Sequence, residues 1–435
     1  MHPRNPYNTP PDFAQLANDH PALKPYLIRT HSGVTINFQD QAALRCLTKA
    51  ILERDYHIAL TLPDDRLCPP VPNRYSQAFL FPEEVATSLG LDIGTGASAI
   101  YPLLGCSVEP EWQFVATDID SRSIQFAHQN VESNSLEKRI TIQAVLPDDP
   151  IFPSPQERFD REALGNVPSH FAFTMCNPPF YGSHEEVLES AEAKEYGPNA
   201  VCTGADNEMV TPGGEVEFVR KMVLQSLQLG SYCRWYTSML GKMSSLRKIV
   251  ELLKDEKIDN YAITEFMQGR TRRWAIAWSF TDIHLPGPLA RIQNPSLQDI
   301  MPVKNAFEYP YPQRSWIDVC HALEGVLTAI DGVTLRQDEL RTTTESPAET
   351  MVVTAKADTW SRAARRRKLR ADDGAIPDHA HGTAPLLVCK VVVSGKGPEG
   401  GSFVEFQWVR GRNRGLFESF TSHIGRKVAA ALKLP

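Results

Sequence analysis

The sequence has no apolar run of membrane-spanning length, and its opening, Met1-His2-Pro3-Arg4-Asn5-Pro6, holds no hydrophobic signal core. Neither a membrane-spanning helix nor a secretory leader is therefore expected. Eight cysteines are scattered at 46, 68, 106, 176, 202, 233, 320 and 389 without a C-x-x-C pair. That spacing lacks the usual signatures of a zinc site and of a disulfide framework, so the cysteines read as reduced thiols and no metal site is expected. Excess positive charge is also missing: the net charge is -7. This excludes a uniformly basic nucleic-acid binder but leaves room for local basic patches.

What is present is an ordinary globular composition, 42% hydrophobic and 22% charged, spread over 435 residues. A chain of that length exceeds one common domain and predicts a large unit followed by a smaller one. Phe171-Ala172-Phe173-Thr174-Met175-Cys176 reads as a short buried strand that stops at Asn177-Pro178-Pro179-Phe180. Each residue of that stop has a use if the target is a planar amine. The Asn177 amide oxygen accepts one amine hydrogen, and a carbonyl preceding a proline accepts the other, which draws the nitrogen toward sp3 geometry. Pro178 and Pro179 fix φ and stiffen the turn, and Phe180 offers a face for a base. A buried strand entering an Asx-Pro turn is the bland alternative for the tetrapeptide alone.

The upstream sequence shifts that balance. Leu89-Gly90-Leu91-Asp92-Ile93-Gly94-Thr95-Gly96-Ala97-Ser98 reads as a strand ending in a glycine turn, with a helix after it. Glycines at 94 and 96 permit positive φ and close approach of a ligand, while the third glycine of a dinucleotide fingerprint is absent. A second strand ends in acid at Asp118, placed to accept bonds from ribose hydroxyls; capping the helix that starts near Ser121 is its alternative or additional role. Helix 121–134 and strand 140–145 complete a β-α-β-α-β run, hence a parallel sheet. The glycine turn, Asp118 and Asn177 then lie at the carboxyl ends of strands in one sheet, which points to S-adenosylmethionine binding and amine methylation.

These stretches resemble the family of U6 small nuclear RNA adenosine-N6 methyltransferases and are similar to bacterial ribosomal RNA adenine-N6 methyltransferases. The matching pieces are Val71-Pro72-Asn73-Arg74, Asp92 to Ser98, Asn177 to Phe180, Gly213-Gly214-Glu215, Met239-Leu240-Gly241-Lys242 and Gln268-Gly269-Arg270-Thr271 with Arg273-Trp274. The resemblance spans about residues 10 to 282. It implies a Rossmann-like α/β methyltransferase domain, with Arg74, Gly94, Thr95, Gly96, Ser98, Asp118 and Asn177 at the cofactor and Asn177 to Phe180 as the catalytic motif. It also implies U6 small nuclear RNA as substrate, at the adenosine of its ACAGA element, and a nuclear location with the cytoplasm left open. The chain departs from the family in a short segment between Arg74 and Leu91 and in the absence of a regulatory lysine from Leu146 to Pro155.

The predicted domains are an N-terminal extension lining the RNA groove (1–74), the methyltransferase domain (75–283), a linker (284–312) and an α+β RNA-binding domain (313–435). Two basic stretches serve as candidate RNA contacts. Arg270, Arg272 and Arg273 interleave with Trp274 beside the base site, and Arg365, Arg366, Arg367 and Lys368 lie within an insertion of the C-terminal domain. A solvated strand face is the alternative for the first; a solvated loop or nuclear-import signal is the alternative for the second. Three rival functions remain open at this point: a ribosomal RNA adenine-N6 methyltransferase, a protein glutamine-N5 methyltransferase and a catalytically dead RNA-binding protein.

Overall fold

Ser88–Ile93 forms strand β3 and is buried along its whole length, as expected for a parallel strand covered on both faces. The computed structural model to which it belongs describes residues 6–9, 11–31, 33–71, 88–153, 170–192, 204–268, 271–337, 348–364, 366, 384–396 and 401–433. These fall into two units, Met1–Phe280 with Arg291–Pro302, and Thr281–Ala290 with Val303–Pro435.

In the first unit, β3 pairs in parallel with β4 (Trp112–Asp118) on one side and β6 (Phe171–Cys176) on the other. Strand β5 (Ile140–Ala144) extends the sheet beyond β4, and β7 (Cys233–Leu240) lies beyond β6. The hairpin of β8 (Tyr261–Gln268) and β9 (Thr271–Trp278) closes it antiparallel, giving the order β5-β4-β3-β6-β7-β9-β8. The chain order therefore reverses between β3 and β6, and in doubly wound sheets a crevice opens at that reversal. Tyr236 and Trp278 fill the core on one side, stacked at 5.8 Å, while Trp235, the preceding residue on β7, is buried on the opposite face.

Strands β6 and β7 share backbone register only at Phe171↔Cys233 and Phe173↔Trp235. Beyond that, side chains replace the ladder. The Thr174 hydroxyl accepts the Thr237 amide at 2.9 Å, and the Thr237 hydroxyl donates to the Thr174 carbonyl at 2.6 Å. Both threonines are buried, so these bonds satisfy backbone groups that water cannot reach.

The N-terminal residues belong to this same unit. Helix Phe13–Asp19 is capped by Asp12, and helix Gln41–Tyr56 by Asp40. The small hairpin of β1 (Leu27–Thr30) and β2 (Gly33–Ile36) lies between them. Buried Tyr7 donates to Asp55 at 2.7 Å and ties the start of the chain to the second helix.

The second unit is a five-stranded antiparallel sheet, order β10-β14-β13-β12-β11. Its strands are β10 (Ala306–Tyr311), β11 (Val333–Gln337), β12 (Ala348–Ala355), β13 (Leu387–Lys396) and β14 (Gly401–Arg410). Strand β14 alternates buried and half-buried positions, and Val404, Phe406 and Trp408 point to the face covered by helices Trp316–Thr328 and Arg414–Ala431. Trp408 is sandwiched between His284 at 3.6 Å and Phe417 at 5.5 Å. Burial keeps the His284 imidazole below its ordinary range, hence neutral.

The expected linker over 284–312 is corrected by the structure. His284 packs in the second unit, β10 is one of its strands, and Pro295–Ile300 is a 3-10 helix capped by Asn294. Leu297, Ile300 and Met301 from that segment enter the core of the first unit. Proline-rich composition suggested a spacer, but Pro295 stands at the first position of a helical turn, where no N–H is needed. Leu297 is fully buried, so Leu297→Ala is expected to cost about 2–5 kcal/mol. Urea unfolding measures it, and a loss under about 1 kcal/mol would show that this segment adds nothing to the core.

Candidate active site

The glycine turn is shaped by the end of the neighbouring strand. After Ile93, Gly94 (φ +70) and Gly96 (φ +64) take left-handed backbone, which costs a side-chain-bearing residue about 1–2 kcal/mol. The amides of Gly94 and Thr95 both donate to the Thr117 carbonyl at 2.9 Å, and the Gly96 amide donates to Asp118 Oδ2 at 2.8 Å. Thr95 spends its hydroxyl on buried Asp92 at 2.7 Å, so it builds the turn. Ser98 is buried just ahead of helix Ile100–Val108. A Cβ added at Gly94 would meet nothing within 4 Å. The turn therefore presents bare backbone to open space, which suits a ligand that approaches closely.

Asp118 is buried, and burial pushes its carboxyl above the ordinary range, offset in part by the Asp120 and Gly96 amides. Helix Ser121–Ser133 is capped by Asp120, not Asp118, through a 2.7 Å bond from the Ser123 amide. That leaves Asp118 with spare lone pairs at the mouth of the turn. Burial raises the Asp120 carboxyl too, but bonds from Arg66 and Ser123 outweigh it and hold the group below its ordinary range. Arg66 is only 7% exposed, and its Nη2 donates to Asp120 at 2.7 Å.

Strand register brings the third element alongside. Ile93 is the partner of both Thr117 and Cys176. The next residues, Gly94, Asp118 and Asn177, therefore stand in one row at the carboxyl ends of three adjacent strands, each about 4.8 Å from the next. Asn177 Oδ1 is buried and has no hydrogen-bond partner among the described residues. A buried amide oxygen left unpaired costs about 1–3 kcal/mol, and a hydrogen-bond donor brought by a ligand removes that cost. Pro178 is buried and Pro179 half-buried.

Phe180 is held from two sides. The Arg273 guanidinium lies 5.4 Å from its ring centre, and a Cβ on Gly241 would stand 2.9 Å from its Cδ1. Gly241 is fixed by buried Glu215, which accepts the amides of Gly241 at 2.6 Å and Lys242 at 3.0 Å. Burial pushes the Glu215 carboxyl up, offset in part by these bonds and by Ser245. Tyr181 bridges Val210 and lies 5.5 Å beneath the Lys242 ammonium, which pairs with Glu186. The segment after the motif contains helices His184–Glu192 and Asp206–Met209.

Of the sequence-derived RNA candidates, Arg272 is exposed and Arg273 half-buried, both on β9, which is an interior strand of the sheet. Arg366 is exposed in the second unit. Arg74, Arg270, Arg365, Arg367 and Lys368 lie outside the described residues. Among the described residues no cluster of three metal-ligating side chains occurs. Sequence reasoning assigned no role to Arg66, Glu208 or Glu215; the Gly-Gly-Glu run was visible, but its carboxylate is explained only by the amides it meets in space.

A doubly wound sheet with a glycine turn, a strand-end acid and an amide at the switch point defines a Rossmann-like methyltransferase fold. A family of RNA methyltransferases matches residues 1–282, and the chain belongs to it. The zebrafish RNA N6-adenosine-methyltransferase mettl16 is 38% identical over 297 residues, covering 66% of this chain and 61% of the relative. The fission yeast U6 small nuclear RNA (adenine-(43)-N6)-methyltransferase is 33% identical over 405 residues, 90% of this chain and 94% of its own length. The catalytic domain of human METTL16, solved with a MAT2A 3′ untranslated hairpin, is 39% identical with a TM-score of 0.56 and covers 65% of this chain and 96% of that one. Its N-terminal domain solved with S-adenosylhomocysteine gives a TM-score of 0.51 at 36% identity, over 65% of this chain and 99% of that one. The chain thus spans under two thirds of the vertebrate relative and nearly all of the yeast one.

The Arg66–Asp120 pair fixes the mouth of the site and depends on pH. Because the Asp120 pKa is depressed by folding, its contribution is present at neutral pH and lost as pH falls through the folded value. Asp120→Asn is expected to cost about 1–3 kcal/mol at pH 7, with the gap from wild type narrower at about pH 3, below the ordinary aspartate value. Chemical denaturation at the two pH values checks this, and an equal gap at both would mean that charge is irrelevant there.

Proposed function

We propose that this protein is an S-adenosylmethionine-dependent RNA adenosine-N6 methyltransferase acting on U6 small nuclear RNA, at work in the nucleus. The observation that carries the reading is the unpaired, buried Asn177 Oδ1 in register with the glycine turn and Asp118. The yeast relative, matched along nearly its whole length, bears the U6 name.

The residues present fit the cofactor. Bare backbone at Gly94 admits close approach, and Asp118 keeps lone pairs for ribose hydroxyls. S-adenosylmethionine supplies a methyl group activated on a sulfonium centre. The chain's own task is to present a weak nucleophile, because the adenine amine delocalises its lone pair into the ring. Asn177 Oδ1 accepts one N6 hydrogen and pulls electron density toward the nitrogen, which favours the pyramidal geometry of the transition state. Pro178 and Pro179 hold the turn rigid so that binding energy is not lost to reorganisation. Phe180, backed by Arg273, provides a flat face on which the flipped base stacks.

Asn177→Ala is expected to reduce methyl transfer below about a tenth of wild type while leaving cofactor and RNA affinity within about tenfold. Single-turnover assays with total RNA and labelled cofactor, followed by mapping of the modified adenosine, test both activity and substrate. Retention of most turnover would sink the assignment, and label on another RNA would replace U6.

Arg272 precedes Arg273 on β9, is exposed at 53% of its side-chain surface and lies 3.4 Å from the Glu265 carboxylate. Its role as a phosphate contact predicts that Arg272→Ala weakens RNA binding on any sequence and lowers the salt slope of log affinity by about 1. Titrations at several salt concentrations measure it; an unchanged slope would leave Arg272 as a solvated strand residue.

A further inference from the structure

Glu208 takes no part in the machinery described so far, yet three segments of the site converge on it. It lies in the short helix Asp206–Met209. Its Oε2 accepts the amide of Ala205 at 2.8 Å and that of Leu67 at 3.0 Å. Leu67 follows Arg66, whose guanidinium is bound to Asp120 and Ser123. Met209, the next residue after Glu208, accepts the Tyr181 amide at 3.1 Å, one residue beyond the catalytic motif.

The other oxygen takes neither of those bonds. Oε1 lies 3.6 Å from the position that a Cβ on Gly96 would occupy. The amide of that same glycine is bound by Asp118. Two carboxylates thus flank one residue of the cofactor turn, in partly buried surroundings. Burial pushes the Glu208 carboxyl above its ordinary range, and the Asp118 charge adds to the rise. Arg66 offsets this in part, but its N–H groups are already given to Asp65, Asp120 and Ser123. Like charges held this close are unfavourable unless donors fill the space between them.

We infer that Glu208 is a second cofactor-binding acid, whose Oε1 accepts a hydrogen bond from S-adenosylmethionine across Gly96 from Asp118. The inference rests on the cofactor reading given above. S-adenosylmethionine carries two sorts of donor, its ribose hydroxyls and its α-ammonium, and a carboxylate oxygen serves either. Glu208 also links the base side of the site to the cofactor side, because its carboxylate faces the Gly96 turn while the next residue, Met209, accepts the Tyr181 amide.

Glu208→Gln isolates the proposed role. Its carbonyl oxygen still serves the Leu67 and Ala205 amides, while the oxygen facing Gly96 becomes an NH2 donor. Calorimetry on the full chain would use S-adenosylmethionine, S-adenosylhomocysteine and 5′-methylthioadenosine, which has the ribose but no ammonium. The expected result is a melting temperature close to wild type and S-adenosylmethionine affinity lower by about tenfold or more. Supporting outcomes differ in the donor they identify. A loss shared by methylthioadenosine assigns the ribose, and a loss confined to the two amino-acid ligands assigns the ammonium. If the amide variant does not fold, Glu208→Asp replaces it, keeping the charge but withdrawing it by one methylene, with a loss of about fivefold or more expected. S-adenosylmethionine affinity within about twofold of wild type in a folded variant overturns the inference and leaves Glu208 as a tie between segments. Failure of the wild-type chain to bind S-adenosylmethionine would instead overturn the cofactor reading, and this inference with it.

Discussion

The parallel register of β3 with both β4 and β6 is the constraint on which the site depends. Backbone hydrogen bonds, not side chains, decide that Gly94, Asp118 and Asn177 emerge in one row. A slip of one residue in either pairing would turn alternate side chains to the opposite face. The three groups would then face different layers of the protein. Burial of β3 on both sides makes such a slip costly, because every position of that strand is already committed to the core. The precision that amine activation requires is therefore supplied by the sheet, and the loops add only the terminal groups.

Around that row, the loops are secured by buried and half-buried acids that bind backbone amides. Asp118 holds Gly96, Asp120 holds Ser123, Glu215 holds Gly241 and Lys242, and Glu208 holds Leu67 and Ala205. Hydrogen bonds between an ionised carboxylate and an amide are about twice as strong as neutral ones. This arrangement concentrates negative charge near a site proposed to take a cationic cofactor. The same charge would repel an RNA backbone.

Much of this was readable in the sequence because it is written in local terms. The Gly-Thr-Gly turn, the acid ending a strand and Asn-Pro-Pro-Phe each announce themselves within ten residues. What escaped sequence reading is long-range. Glu208 meets Leu67 across 141 positions, and Arg66 meets Asp120 across 54. Neither pair leaves a periodic signal. The 291–302 segment was misread for a different reason: prolines and polar residues outnumber Leu297, Ile300 and Met301, and composition cannot reveal that these three share one face of a turn.

That segment has a consequence for how the protein can be divided. The chain leaves the first unit at Phe280, contributes ten residues to the second, returns through Arg291–Pro302, and leaves again. The two units are therefore interleaved, and no single cut along the backbone separates them intact. Ending the chain before Arg291 strips Leu297, Ile300 and Met301 from one core. Ending it after Pro302 keeps that core but orphans Thr281–Ala290, whose partners lie beyond the cut. A truncation anywhere between Phe280 and Val303 therefore leaves at least one unit incomplete.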